Sequence, residues 1–224
     1  EERGKSVNQD KALELLEELA ARERAEGYRP YLVPVGGSTC GGHLDKPLGA
    51  LSYFQAMLEI YEQAAAVSAL PDYVVIASGS GGTQAGLLVG AKALGLKTKV
   101  VGICVSDKKE EFLPVVKQIA FDLVKMLELE IQLDNEDFIL FDNYLGAGYG
   151  LITAEIAGTI RNLFKTEAVL LDPVYTAKAM LGLIDLLKRN YFRSNDRILF
   201  VHTGGTPALF AFKDYLLSQL SAGQ

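Results

Sequence analysis

Five residues with small side chains, Gly79, Ser80, Gly81, Gly82 and Thr83, lie between the apolar run YVVIAS and a helix-forming segment. Small residues at such a junction let backbone N–H groups approach an anion, and the helix adds free N–H groups and its positive dipole end. The two hydroxyl groups can donate further hydrogen bonds. A phosphate fits this combination better than a neutral ligand does, although a tight turn without a ligand would use similar residues.

Two familiar phosphate-binding patterns do not fit this loop. A Walker loop ends in Gly-Lys-Ser/Thr, whereas Gly82 is followed by Thr83 and Gln84. A dinucleotide fingerprint needs glycines at relative positions one, three and six, and counting from Gly79 the sixth place is Gln84. The spacing therefore excludes an ordinary P-loop and disfavours a nucleotide-binding oxidoreductase.

A second glycine junction follows the last apolar run, FVHTGG, where Thr203, Gly204 and Gly205 come next along the chain. In a parallel sheet, ligands bind beyond the carboxyl ends of the strands. We therefore expect the two glycine junctions to share one pocket.

The elements that must position these residues alternate regularly. Continuous apolar strands alternating with helices are typical of an α/β fold, a parallel sheet covered by helices on both faces. The first helix is amphipathic, with Asn8 or Asp10 as its cap and four leucines on one stripe, Leu13, Leu15, Leu16 and Leu19. The predicted strands are 31–35, 73–78, 98–105, 168–174 and 197–203, and the predicted helices are 8–25, 48–67, 83–94, 110–127, 151–164, 175–190 and 208–218.

Composition limits the possible partners. The 224 residues are 49% hydrophobic and 22% charged, with a net charge of -6, and no Lys/Arg-rich run is present. Nucleic acids and membrane surfaces need clustered positive charge, so we expect neither as a partner.

Two cysteines, Cys40 and Cys104, do not form a disulfide framework, and Cys40 with His43 lacks the further ligands of a metal site. No signal peptide or membrane span is evident, which predicts a cytoplasmic protein.

Six ordered motifs carry a resemblance to a known family. The set resembles the D-cysteine desulfhydrase and 1-aminocyclopropane-1-carboxylate deaminase family, which are pyridoxal-phosphate enzymes of the tryptophan synthase β type, or fold type II. The resemblance implies a three-layer fold, pyridoxal 5'-phosphate as cofactor, a small amino-acid substrate and a homodimer. The motifs are PVGGS (34–38), PLGAL (47–51), ASGSGGTQAG (77–86), GAGYG (146–150), LDPVYTAKAM (171–180) and FVHTGG (200–205).

The resemblance also implies roles for individual residues. The loop from Gly79 to Thr83 matches the family's cofactor-phosphate loop, which includes Ser80, Gly81 and Gly82. Two tyrosines match the family's active-site tyrosines, which lie beside the substrate and help proton transfer or position the reacting carbon. These tyrosines are Tyr149 in GAGYG and Tyr175 in DPVYT.

Thr176 and Thr203 distinguish the branches of this family, because both match positions close to the pyridine nitrogen. The deaminase branch resembles DPVYEGK with HLGG, in which a carboxylate keeps that nitrogen protonated. A hydroxyl holds the ring proton less well, so the ring would be a weaker electron sink. Elimination of a thiolate needs less delocalisation of electrons into the pyridine ring than opening a cyclopropane ring does. Both residues therefore favour the desulfhydrase branch.

The chain departs from the family in two places. The family's Schiff-base lysine lies in an N-terminal segment that matches nothing here; Lys178, after Tyr175, is interpreted as solvated or structural. The segment 39–46 is an insertion relative to the family. We therefore expect residues 1–35 to be the end of the small domain, with the N-terminal part of the fold missing, and residues 36–224 to be the large cofactor-binding domain.

Three functions stay open at this point. The first is a pyridoxal-phosphate-dependent lyase that converts D-cysteine to pyruvate, sulfide and ammonia, here as a fragment that would be inactive alone. The second is a 1-aminocyclopropane-1-carboxylate deaminase. The third is a non-catalytic pseudoenzyme that still binds a phosphate ligand.

Overall fold

A four-stranded parallel sheet forms the centre of the computed structural model, which describes residues 9–221. The strands are β1 (Tyr73–Ser78), β2 (Lys99–Cys104), β3 (Ile139–Phe141) and β4 (Ile198–Phe200). They lie in the order β3-β2-β1-β4, and all three neighbouring pairs are parallel. The predicted parallel α/β fold is confirmed, and β1 has the predicted bounds.

Helices cover both faces of this sheet. Helices α2, α3 and α4 pack together over one face, and α6 packs against β1 and β2 from the other face, with α5 beside it. The bounds are α1 (Gln9–Ala25), α2 (Leu48–Ala66), α3 (Gly82–Ala93), α4 (Lys109–Met126), α5 (Ala154–Glu167), α6 (Thr176–Lys188), α7 (Ala208–Ala211) and α8 (Lys213–Ser221).

Alternation along β1 explains why the strand is apolar throughout. Val74 and Ile76 point into the core beneath α2, α3 and α4, whereas Val75 and Ala77 point into the core beneath α6. Successive side chains of a strand face opposite sides, and here each side is buried. The strand therefore ends in the middle of the molecule, where Gly79 begins the loop to α3.

Three strand predictions need correction. Residues 31–35 form no strand; this run leads into a 3-10 turn, Val35–Gly37, so the predicted domain boundary after residue 35 falls inside that turn. Residues 168–174 form no strand either, because an apolar run becomes a strand only when it finds a ladder partner. Strand β3 was not predicted, since three residues are too few to show a periodic pattern.

The helix predictions differ mainly at the helix ends. Helix α5 begins and ends three residues later than predicted, and the predicted last helix is divided into α7 and α8. In α1, Leu15 and Leu19 are exposed rather than on a buried stripe; Asp10 lies within the helix, and Asn8 lies outside the described residues. No helix within residues 9–221 is long and apolar enough to cross a membrane.

Candidate active site

One cleft of about 500 Å³ lies beyond the carboxyl ends of β1, β2 and β4. It brings together both glycine junctions, the two predicted tyrosines and the turn after residue 34, as the shared-pocket prediction required. The residues that line it include Val35, Gly36, Ala77, Gly79, Ser80, Thr83, Ser106, Tyr149, Tyr175, Thr203, Gly204 and Gly205. Of the predicted site residues, Gly81, Gly82 and Thr176 are not part of this lining.

The loop after β1 is shaped to hold an anion. Gly81 is the N-cap of α3 with φ +89°, a backbone conformation that favours glycine, and no side chain caps the helix. A Cβ at Gly82 would lie 2.5 Å from Ser38 Oγ, so only glycine fits beneath the loop. The first amides of a 12-residue helix are thus left without a side-chain cap beside the cleft.

A neighbouring serine, missed by the sequence analysis, supports this loop. Ser38 is buried, and its hydroxyl forms a 2.8 Å hydrogen bond with the Ser80 hydroxyl. Gly36 lies so close that a Cβ there would be 2.7 Å from Ser80 Oγ. The PVGGS motif therefore packs directly against the glycine loop although 42 residues separate the two serines.

Gln84, the residue after the glycine loop, forms side-chain hydrogen bonds to two strands of the sheet. Its side chain is fully buried, accepts a hydrogen bond from Ser78 Oγ at 3.0 Å and donates one to the Ile139 carbonyl at 2.8 Å. Gly102 of β2 makes room, because a Cβ there would lie 2.1 Å from Gln84 Oε1. Gln84 thus links β1 to β3 across β2.

Tyr149 and Tyr175 face each other in the cleft, and their hydroxyl groups are hydrogen-bonded. Burial raises the pKa of Tyr175 above its ordinary value, and the hydrogen bond to Tyr149 raises it further. Tyr175 therefore stays protonated at neutral pH. The pair brings two phenol oxygens, with a proton between them, to one point of the cleft wall.

A buried aspartate fixes the backbone at Tyr175 by hydrogen bonds. The Asp172 carboxylate accepts hydrogen bonds from the N–H groups of Val174 and Tyr175 at 2.8 and 2.9 Å, and from that of Thr176 at 2.7 Å. The Thr176 hydroxyl also donates to this carboxylate at 2.7 Å, and Thr176 is fully buried. Thr176 therefore shapes the turn before α6, which does not support its predicted contact with the pyridine nitrogen.

Thr203 is exposed and is part of the cleft lining. The two glycines after it have φ of +91° and +86°, and a Cβ at Gly205 would lie 2.9 Å from Asp172 Cγ. His202 fixes this loop, because its ring accepts a hydrogen bond from the Gly204 N–H and contacts the Leu170 carbonyl at 2.7 Å. His202 is thus hydrogen-bonded, but it is not part of the cleft lining.

Among the described residues, no lysine and no carboxylate line the cleft. Lys178, which the sequence left as solvated or structural, is fully buried and is held by three backbone carbonyls, so it is structural. The cleft wall is therefore made of hydroxyl groups, phenols and backbone.

The two candidate metal ligands of the segment 39–46, Cys40 and His43, have hydrogen-bond partners within or beside the segment. His43 accepts a hydrogen bond from the Leu32 N–H at 2.8 Å and stacks on Tyr31, so it is used to fold the segment. Cys40 donates to the Asp45 carbonyl. No cluster of potential metal ligands occurs within residues 9–221.

An α/β sheet with a glycine-lined helix N-terminus and a pair of phenols at the carboxyl ends of its strands defines a pocket for a phosphate-bearing small molecule. Comparison with known proteins specifies the class further. The chain belongs to the pyridoxal-phosphate dependent enzymes, whose family pattern matches residues 4–204.

Individual relatives confirm the motif-based resemblance. The chain is 43% identical over 203 residues to a D-cysteine desulfhydrase of Klebsiella pneumoniae strain 342, covering 91% of this chain and 58% of that protein. A second D-cysteine desulfhydrase, from Klebsiella pneumoniae subsp. pneumoniae, is also 43% identical, over 201 residues. A crystal structure described as an ACC deaminase homologue superposes with a TM-score of 0.81 at 34% identity, covering 96% of this chain and 61% of that chain. The chain therefore has the fold of these enzymes and spans less than two thirds of their length.

The residues present fit the phosphate of the family's cofactor. The glycine loop brings the backbone of Gly79 and Ser80 to the cleft surface, and the uncapped start of α3 supplies N–H donors and positive dipole. Ser80 and Thr83 add hydroxyl groups at the cleft surface, and no carboxylate among the described residues lines the cleft to repel an anion.

Proposed function

We propose that the protein in which this chain occurs is a pyridoxal-phosphate-dependent lyase that eliminates sulfide from D-cysteine and yields pyruvate and ammonia. The proposal is supported by the names of the relatives and by one feature of the cleft, its lack of a carboxylate among the described residues. With no carboxylate to hold a proton on the pyridine ring, Thr203 offers only a hydroxyl. This arrangement suits a substrate that carries a good leaving group.

Pyridoxal phosphate supplies an electron sink conjugated to the substrate amine. In this proposal the loop from Gly79 to Thr83 binds the phosphate and fixes the orientation of the ring. The Tyr175 phenol, which is protonated at neutral pH, can share its proton with the departing sulfide in a hydrogen bond. Tyr149 accepts or returns the proton through the shared hydrogen bond.

The atoms balance without a further oxidant or reductant. The Cβ–S bond of D-cysteine breaks as the Cα proton is lost, and sulfide leaves with a proton. Water then hydrolyses the remaining carbon–nitrogen bond, which releases pyruvate and ammonia.

A second candidate, 1-aminocyclopropane-1-carboxylate deaminase, is favoured by the structural similarity to the ACC deaminase homologue. A non-catalytic protein that binds a phosphate ligand is the third candidate, because no described lysine lines the cleft. Homodimerisation and a cytoplasmic location stay predictions.

The decisive experiment measures keto-acid release by the full-length protein, loaded with pyridoxal phosphate, from D-cysteine, L-cysteine, D-serine and 1-aminocyclopropane-1-carboxylate. Preferred turnover of D-cysteine with equal amounts of sulfide and pyruvate supports the proposal. Turnover of the cyclopropane substrate supports the deaminase instead. Cofactor binding with no keto acid from any of the four substrates supports the non-catalytic protein.

Two variants test the assigned roles. Thr83→Ala is expected to weaken pyridoxal-phosphate affinity about tenfold, because it removes one hydroxyl donor to a charged group. Tyr175→Phe is expected to lower kcat about 100-fold with cofactor affinity changed less than twofold. Tyr191→Phe, outside the cleft, is the control. Equal losses of affinity and turnover in both site variants would contradict the division of roles.

A further inference from the structure

Lys178 is a buried cation whose hydrogen-bond partners, among the described residues, are all backbone carbonyls. Its ammonium group donates to Leu145 and Gly148 at 2.8 Å each and to Val105 at 3.3 Å, so three N–H groups meet three acceptors. The residue has no exposed surface, and within residues 9–221 it forms no ion pair. A lysine without a charged partner is rarely this buried, since desolvation of the ammonium is costly.

The three carbonyls come from the parts of the chain that surround the tyrosine pair. Val105 directly follows β2, whereas Leu145 and Gly148 belong to the loop of residues 142–153 between β3 and α5. This segment, which we call the tyrosine loop, carries Tyr149 immediately after Gly148. On the other side, Lys178 lies one turn along α6 from Tyr175. The Lys178 side chain therefore links the tyrosine loop, which carries Tyr149, to α6, which begins next to Tyr175.

The first part of the tyrosine loop is anchored by the buried Tyr144 and Leu145, but the part after residue 145 forms few hydrogen bonds of its own. Three of its glycines have positive φ, Gly146 at +67°, Gly148 at +140° and Gly150 at +68°. Glycines in such conformations lose more backbone entropy on folding than other residues do. Of the loop's backbone amides after residue 145, that of Leu151 makes a turn hydrogen bond to Gly148 at 3.3 Å. Besides the hydrogen bond between Tyr149 and Tyr175, the contact of Lys178 with the Gly148 carbonyl is thus the main short polar bond in this part of the loop, and its contact with the Leu145 carbonyl lies at the start of it.

We propose that Lys178 is a positioning residue whose ammonium group holds the tyrosine loop against α6 and so places the Tyr149 hydroxyl against that of Tyr175. A methionine of similar length would fill the same volume and avoid the cost of burying charge. Burial lowers the pKa of this lysine to about 8, which shows the size of that cost. The effect on turnover rests on the proposed function, whereas the position of Tyr149 does not.

The first test needs neither cofactor nor substrate. Lys178→Met in the full chain should expose the tyrosine loop, so chymotrypsin is expected to cut after Tyr149 at least tenfold faster. Cleavage after Phe210, which is 80% exposed in wild type, is the internal reference. Lys188→Met, on the exposed end of α6, is the matched control and should leave the ratio of the two cleavages unchanged. An unchanged ratio in Lys178→Met, or equal acceleration at both sites, overturns the proposal.

The second test is a double-mutant cycle on turnover. If Lys178 acts through Tyr149, the double variant Lys178→Met/Tyr149→Phe should have a kcat within twofold of that of Tyr149→Phe alone, with cofactor affinity retained. Multiplicative losses would show that Lys178 does not act through Tyr149. If even wild type has no turnover, the proposed function fails while the proteolysis test still decides the position of Tyr149.

If Lys178→Met does not fold, the pH dependence of proteolysis in wild type tests the proposal instead. Burial is the only cause of the pKa shift, and no charged group on β2, the tyrosine loop or α6 contributes to it. Above about pH 8 the neutral amine has two N–H donors for three carbonyls. The ratio of cleavage after Tyr149 to cleavage after Phe210 should therefore rise between pH 7 and pH 9. A ratio that stays constant over a pH range in which NMR shows that Lys178 loses its proton overturns the proposal.

Discussion

Gly82 decides how closely the glycine loop packs against Ser38. A Cβ at this position would meet Ser38 Oγ at 2.5 Å and Ser38 Cβ at 3.0 Å, and Ser38 also supports the Ser80 hydroxyl. Gly82→Ala is therefore expected to displace Ser38 or the loop and to weaken pyridoxal-phosphate affinity at least tenfold, about 1.4 kcal/mol. Titration of the full-length protein, followed by cofactor absorbance, measures this loss.

Gly158→Ala is the matched control for Gly82→Ala. A Cβ at Gly158 meets no atom within 4 Å, and the residue lies inside α5, where alanine is the better helix former. We expect unchanged cofactor affinity and a slight gain in stability. If Gly82→Ala binds the cofactor as tightly as Gly158→Ala does, the loop does not hold the phosphate.

At the scale of elements, the contact between α2 and α3 depends on glycine. A Cβ at Gly86 would lie 2.2 Å from the Ala50 carbonyl oxygen and 2.8 Å from the Phe54 nitrogen, so the two helix backbones are nearly in contact. Gly86→Ala must separate them, and we expect a loss of about 2 kcal/mol in the free energy of unfolding despite the better helix propensity of alanine. Urea unfolding measures it, and an unchanged midpoint would contradict the close packing.

The sequence predicted those elements whose pattern is local. Strand β1 and the glycine loop after it were identified from consecutive residues, and the parallel sheet followed from the alternation of strands and helices. The run at 168–174 has the apolar residues of a strand, but strand formation depends on a partner that no local pattern shows.

The candidate site, like the fold, was predictable where its residues belong to local sequence motifs. Most residues contributed by motifs line the cleft, although Gly81, Gly82 and Thr176 do not. Ser38 and Lys178 form hydrogen bonds with partners 42 and 30 or more residues away. Thr176 was assigned by its neighbour in sequence, yet its hydroxyl is used by the buried Asp172. Contacts between distant parts of the chain decide which polar side chain faces a ligand, and a single sequence does not contain them.

At the scale of the whole molecule, Lys178 links the stability of the fold to pH. Its pKa is lowered from 10.5 to about 8 by burial, so between these values the unfolded chain binds more protons than the folded one. Stability contributed by this residue therefore rises with pH from about 8 towards 10.5. Wild type should gain about 2 kcal/mol relative to Lys178→Met between pH 7 and pH 9.5.

Urea unfolding of both proteins across this pH range measures the difference. Three tyrosines with raised pKa, Tyr144, Tyr175 and Tyr191, are common to both proteins, so their effects cancel. The same deprotonation removes a donor from the tyrosine loop, so the loop should loosen while the fold as a whole becomes more stable. A stability difference that is constant with pH would mean that Lys178 does not titrate in this range. If fold and loop instead changed in the same direction, general unfolding rather than a lost hydrogen bond would explain the loop.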